Sequence, residues 1–200
     1  MNRKTLLLWT ILCLAGAAPA SWSQTPATFF GMNTGRVNAS LPWPSVPLGT
    51  IRLWNTGTNW NDLEPSRDTY DWSNLDHYIG LAQSHDVDLL YTFGGTAQWA
   101  ASGASSQCKY NTGSCYPPTN IQDWDNFVTA VVAHSAGRIK YWEIWNEANL
   151  PPYWTGDIPT LIVMAQHAYK IIKTADPTFQ VLCPSSAGAA LVVKDYLNSY

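Results

Sequence analysis

Asn146 and Glu147 stand side by side at the end of an aromatic run, Lys140-Tyr141-Trp142-Glu143-Ile144-Trp145. Aromatic and β-branched residues of this kind suit a buried, pleated strand. Pro151 and Pro152 forbid its continuation. Glu147 is therefore predicted at the carboxyl end of a strand, where a loop begins. In parallel α/β folds that end is where ligands bind and chemistry happens. Trp142, Trp145, Tyr153 and Trp154 stand close by in sequence. Apolar walls favour the protonated carboxyl that a general acid needs. The competing reading is a solvated strand-end carboxylate. The adjacent Asn and the aromatic neighbours weigh against it.

Around this pair, the totals narrow the class. The 200 residues fit one domain, and a net charge of -3 argues against a nucleic-acid partner. Charged residues are only 12%, while the chain has 11 Trp and 10 Tyr. That balance fits a protein that handles neutral, flat-faced ligands such as sugars, although a large aromatic core accounts for most of the rings. The start combines Asn2-Arg3-Lys4, an apolar run from Thr5 to Ala17, and Ala18-Pro19-Ala20. This is the pattern of a secretory signal peptide over residues 1–20, followed by a linker over 21–27. Cleavage falls after Ala20 or after Ser23. The apolar run is too short for a stable membrane anchor. A secreted or periplasmic chain is expected. Export permits a disulfide, and Cys108 and Cys115 bracket a short polar segment that a bridge would close. Cys183 reads as a buried free thiol in an apolar strand. No His stands at ligand spacing, so no metal and no cofactor are expected.

The elements that must position Glu147 follow a strand–helix alternation. Strands are expected over 28–33, 50–55, 88–93, 140–147 and 180–184. Ser73, with Asp76 three residues on, looks like a helix N-cap. Leu75, Tyr78, Ile79 and Ala82 supply that helix's apolar stripe. Trp124, Phe127, Val128, Val131 and Val132 mark a second helix, stopped by Gly137. Asp157 and Pro159 open a third, and 190–200 begins another. Such alternation means a parallel sheet. No Gly-rich phosphate fingerprint follows the first strand, so a dinucleotide fold is unsuitable. A (β/α)8 TIM-barrel type is the better choice. Typical barrels run to about 250 residues, so five units read as an incomplete, amino-terminal portion over 28–200.

Cleaving a glycosidic bond usually takes two carboxylates, about 5 to 5.5 Å apart for retention and about 6.5 to 9.5 Å for inversion. Glu143 shares a face with Glu147, but four strand residues span roughly 13 Å. Glu143 is thus expected to be buried and hydrogen-bonded lower in the barrel. Glu64 and Asp62 follow the second strand and read by default as solvated loop carboxylates.

Trp145-Asn146-Glu147 at the end of a fourth strand resembles the Asn-Glu signature of clan A glycoside hydrolases, retaining enzymes on (β/α)8 barrels. The chain also carries Ile51-Arg52-Leu53-Trp54, Trp60, Leu63-Glu64-Pro65, Tyr70-Asp71-Trp72, Leu75-Asp76, Tyr91-Thr92-Phe93-Gly94 and Trp99. In this order they resemble glycoside hydrolase family 39. The resemblance implies Glu147 as acid/base, Asn146 as partner of the sugar 2-hydroxyl, and Arg52 as the arginine that supports the nucleophile. It implies a carbohydrate substrate, and a nucleophilic Glu on a seventh strand that this chain lacks. Trp99, Trp54, Trp145, Tyr153 and Trp154 are the candidates for sugar stacking, with Trp99 foremost because it follows Gly94-Gly95. The alternatives are a non-catalytic carbohydrate-binding protein and an inactive truncated fragment. One tension is local: strict strand alternation puts Asn146 and Glu147 on opposite faces. Both reach one site only if the strand breaks at its end, which Pro151 and Pro152 would allow.

Overall fold

The computed structural model describes residues 25–35 and 42–188. The expected signal peptide, most of the linker and the expected helix at 190–200 lie outside those residues. Five parallel strands form one sheet in the order β1 (Gly31–Asn33), β2 (Thr50–Leu53), β3 (Asp88–Phe93), β4 (Tyr141–Ile144) and β5 (Gln180–Leu182). Between them run α1 (Trp60–Leu63), α2 (Ser73–Ser84), α3 (Ile121–Ser135) and α4 (Ile158–Ala175). Sequential parallel pairing with helical crossovers is the (β/α)8 arrangement, with five consecutive strands present. Among the described residues no helix is long and apolar enough to cross a membrane.

The two faces of the sheet differ in chemistry because side chains alternate along each strand. One face carries Ile51, Leu53, Leu89, Tyr91, Phe93, Trp142 and Ile144, all buried under the helices. The helices answer with Leu75 and Ile79 of α2, Trp124, Phe127 and Val131 of α3, and Leu161, Met164 and Ile172 of α4. Trp124 donates its indole N–H to the Met164 carbonyl at 2.9 Å and so ties α3 to α4. The opposite face carries Arg52, Thr92 and Glu143, with Thr92 and Glu143 directly paired across β3 and β4. The apolar periodicity thus fixes which face is core and leaves the polar set facing the barrel axis.

Several boundaries differ from the sequence-based expectation. Thr28 and Phe29 belong to a 3-10 turn, so β1 is shorter. The second, fourth and fifth strands stop two or three residues early, because the chain turns where Asn55 and Trp145 take positive φ. Ser73 is the first residue of α2 rather than its cap; Asp71 Oδ1 accepts the Ser73 N–H at 3.0 Å instead. Ala136, in left-handed conformation, ends α3 one residue before Gly137. Asp157 caps α4 as expected, accepting from Thr160 at 2.8 Å. Cys183 is exposed, not buried, because it falls just past the short edge strand β5.

Glu64 is not a solvated loop carboxylate. It is 2% exposed, accepts the Trp60 indole N–H at 2.7 Å and the Asp68 N–H at 2.9 Å, and belongs to the cluster where Trp60 stacks on Phe127. Burial raises its carboxyl above the ordinary value against those donors. Asp62 is engaged in the capping box with Asn59 at the start of α1.

Candidate active site

The site is built at the carboxyl ends of β2, β3 and β4. Arg52 leaves β2 and donates from Nε to Glu143 Oε2 at 2.7 Å and from Nη2 to Asn146 Oδ1 at 2.8 Å. Thr92 of β3 donates to the same Glu143 oxygen at 2.6 Å. Glu143 is 6% exposed, so this carboxylate is buried and must be paired. Arg52 therefore serves two partners. It neutralises Glu143 below, and it holds the carbonyl end of the Asn146 amide above. The amide nitrogen of Asn146 is buried and has no hydrogen-bond partner among the described residues. With Oδ1 fixed by Arg52, Nδ2 is a donor without an acceptor.

The strand breaks before Asn146 and Glu147, earlier than the expected end at Glu147. β4 ends at Ile144, and Trp145 (φ 70) and Glu147 (φ 45) both take left-handed backbone. That conformation costs a bulky residue roughly 1 to 3 kcal/mol and persists only where surroundings fix it. Here they do. The Trp145 indole donates to the Tyr153 carbonyl at 2.9 Å, and its ring packs edge-on against Trp154. Ser185, just after β5, accepts the Glu147 N–H at 3.2 Å. Asn149 exchanges hydrogen bonds with the Ala187 backbone, accepting its N–H at 2.9 Å. The neighbouring strand end thus pins the turn from outside.

Aromatic residues gather beside the turns after β2 and β4, though not all the expected ones. Trp54 follows β2 and lies over Gly94; a Cβ there would stand 3.1 Å from its ring, and Gly94 also has φ 152. Trp54 meets Tyr153 at 6.2 Å and Tyr110 at 5.5 Å. Burial raises the Tyr153 phenol, and the Glu147 carboxylate adds to it. Trp54, Trp145 and Trp154 are 4%, 1% and 4% exposed, so all three of these expected stacking residues are buried among the described residues. Trp99 is also displaced from the expected place. The chain turns after Thr96, and the Trp99 indole donates to the Glu64 carbonyl at 3.0 Å while the Arg67 guanidinium lies over its ring at 4.4 Å. It packs with Trp60, apart from the Arg52 network. The disulfide joins Cys108 and Cys115, with Cα atoms 5.1 Å apart. Tyr110, Asn55, Thr92 and Ser185 were not singled out by sequence. Only Tyr110 carried a signal, as the aromatic residue inside the bridged loop. Among the described residues no group of three or more His, Cys, Asp or Glu is placed to hold a metal ion.

The network makes a prediction. Arg52→Met leaves Glu143 buried and unpaired, so it should destabilise by roughly 2 to 4 kcal/mol, toward the lower end for a broken buried pair because Arg52 is partly exposed. Adding Glu143→Gln to that variant should recover part of the loss. Thermal melts of the two variants check this; equal melting temperatures would contradict the coupling.

The model for Glycosyl hydrolases family 39 matches residues 56–199. A curated β-xylosidase from Geobacillus stearothermophilus is 25% identical over 129 residues, 60% of this chain and 25% of that protein. A glucosidase from Croceicoccus marinus superposes with a TM-score of 0.60 at 15% identity, over 84% of this chain and 40% of that one. A family 39 glycoside hydrolase from Bacteroides cellulosilyticus WH2 gives 0.52 at 17%, over 68% and 26%. The chain thus matches about a quarter of the length of the curated relative and less than half of these solved ones. With the family model covering most of its length, the chain belongs to glycosyl hydrolase family 39.

Proposed function

We propose that the whole protein hydrolyses β-glycosidic bonds in oligo- or polysaccharides with retention, with Glu147 as acid/base. The observation that carries this reading is the paired turn of Asn146 and Glu147 at the end of β4, with Arg52 holding the Asn146 amide. Glu147 protonates the leaving oxygen while a second carboxylate attacks the anomeric carbon. Glu147 then takes a proton from water as that water attacks the anomeric carbon and releases the second carboxylate. The Asn146 amide nitrogen donates to the sugar 2-hydroxyl, an interaction that strengthens as charge develops at the ring.

The attacking carboxylate comes from outside the described residues. Glu143 is engaged by Arg52 and Thr92, Glu64 by Trp60 and Asp68, and Asp62 by the Asn59 cap. The partly exposed Tyr153 supplies apolar surface for the sugar, backed by the buried Trp54. The name of the curated relative supports a β-linked substrate. Export is part of the same reading. The basic-then-apolar start and the Cys108–Cys115 bridge support an oxidising compartment. Amino-terminal sequencing of the mature protein should then begin at Ser21 or Gln24, and an intact Met1 would oppose it.

In the complete protein, Glu147→Gln should lower turnover of substrates with poor leaving groups by about 10² to 10⁴. Aryl glycosides with very acidic leaving groups should lose far less in their first step. Azide should restore turnover and yield a β-glycosyl azide. A variant with unaltered hydrolysis would remove Glu147 from the mechanism. A protein that binds sugar but never cleaves it, with or without Glu147, would favour a binding role.

A further inference from the structure

Tyr110 lies within the loop that the Cys108–Cys115 disulfide closes. Its phenol donates to Asn55 Oδ1 at 2.7 Å, and its ring stands 6.4 Å from that of Tyr153. Asn55 follows β2 with φ 63, a conformation Asn tolerates better than most residues. The loop is fastened at both of its bridged ends to the β4–α4 connection. Next to Cys108, the Lys109 N–H donates to the Pro152 carbonyl at 2.9 Å. The Cys115 carbonyl accepts the Thr155 N–H at 2.8 Å and the Thr155 hydroxyl at 3.0 Å. Those two attachments bracket Tyr153, so the bridge sets the distance between the two phenols.

Tyr110 and Tyr153 therefore form a partly exposed aromatic wall backed by the buried Trp54, beside the turns that follow β2 and β4. Burial raises the Tyr110 phenol, with smaller contributions that include the Glu147 carboxylate. Arg52, the cation beside Trp54, is engaged by Glu143 and Asn146. Such a wall suits an uncharged sugar ring better than an acidic one.

We propose that Tyr110 is a substrate-binding residue for the uncharged sugar ring at the scissile bond, and that the Cys108–Cys115 bridge holds it in that position. The inference rests on the reading of Glu147 as acid/base. A ring already fixed by the bridge and by Asn55 costs little further ordering when sugar binds. A reduced loop must be ordered at each binding event. The consequence belongs to ground-state and transition-state binding alike, so it appears in KM more than in kcat.

The test uses the complete protein and an uncharged aryl β-glycoside. Tyr110→Ala should raise KM about tenfold with kcat changed less than about threefold. Tyr110→Phe and Asn55→Gly each remove the same hydrogen bond, so their KM effects should not add in the double variant. Dithiothreitol, or Cys108→Ser with Cys115→Ser, should raise KM in the parent protein but not further in Tyr110→Ala. That last result separates a substrate-binding role from a merely structural one. An unchanged KM in Tyr110→Ala, or an equal response to reductant with and without Tyr110, would overturn the proposal. Glu147→Gln assayed alongside keeps the two readings apart. Full activity in that variant would defeat the acid/base assignment, whereas a null effect at Tyr110 with a strong effect at Glu147 defeats only this one.

Discussion

A buried carboxylate at the end of a strand sets the terms for everything around it. Glu143 faces the barrel axis at 6% exposure, and an unpaired charge there would cost several kcal/mol. Arg52 meets that demand from β2, and Thr92 meets it from β3. The three strands are thereby locked at one height by polar contacts, while their other face is locked by apolar packing. The guanidinium keeps a donor for Asn146, so one ion pair also orients an amide at the mouth of the barrel. The arrangement uses what arginine has and lysine lacks: several donors in a rigid plane that can hold two partners at once.

The second constraint is the turn at Trp145. A strand presents alternate residues to opposite faces, so two consecutive site residues need a break in that alternation. The chain accepts unfavourable backbone at Trp145 and Glu147 to obtain it. The cost is offset by burying the Trp145 ring against Trp124 and Trp154 and by bonds from the segment after β5. Local strain placed beside a reacting group and held by its neighbours is a common property of functional sites.

Much of this was legible in the sequence, and what was not has physical causes. The parallel sheet, the helix stripes and the Asp157 cap followed from periodicity and capping chemistry, because each depends on residues near one another in the chain. A break was required by the alternation argument, but the strand was expected to run to Glu147 and stops at Ile144. No local signal marks a tryptophan in left-handed backbone; tertiary packing imposes it. Trp54, Trp99, Trp145 and Trp154 were candidates for sugar stacking because tryptophan serves cores and ligands equally well, and only burial or tertiary partners separate the two. Glu64 read as a surface residue because its partner Trp60 lies in a short helix that the loop composition hid. Tyr110 and Asn55 are 55 positions apart and meet only once the bridged loop folds over β2.

The central claim is that Arg52 fixes the Asn146 amide so that its nitrogen meets the sugar 2-hydroxyl as Glu147 delivers its proton. The most direct measurement compares kcat/KM for an aryl β-glycoside and its 2-deoxy counterpart, in the complete protein and in its Asn146→Ala variant. The parent protein should favour the 2-hydroxy substrate by roughly a hundredfold or more relative to the variant, since losing one donor aimed at charge that develops in the transition state typically costs about 10² to 10³ in rate. An identical preference in the two proteins would contradict the account.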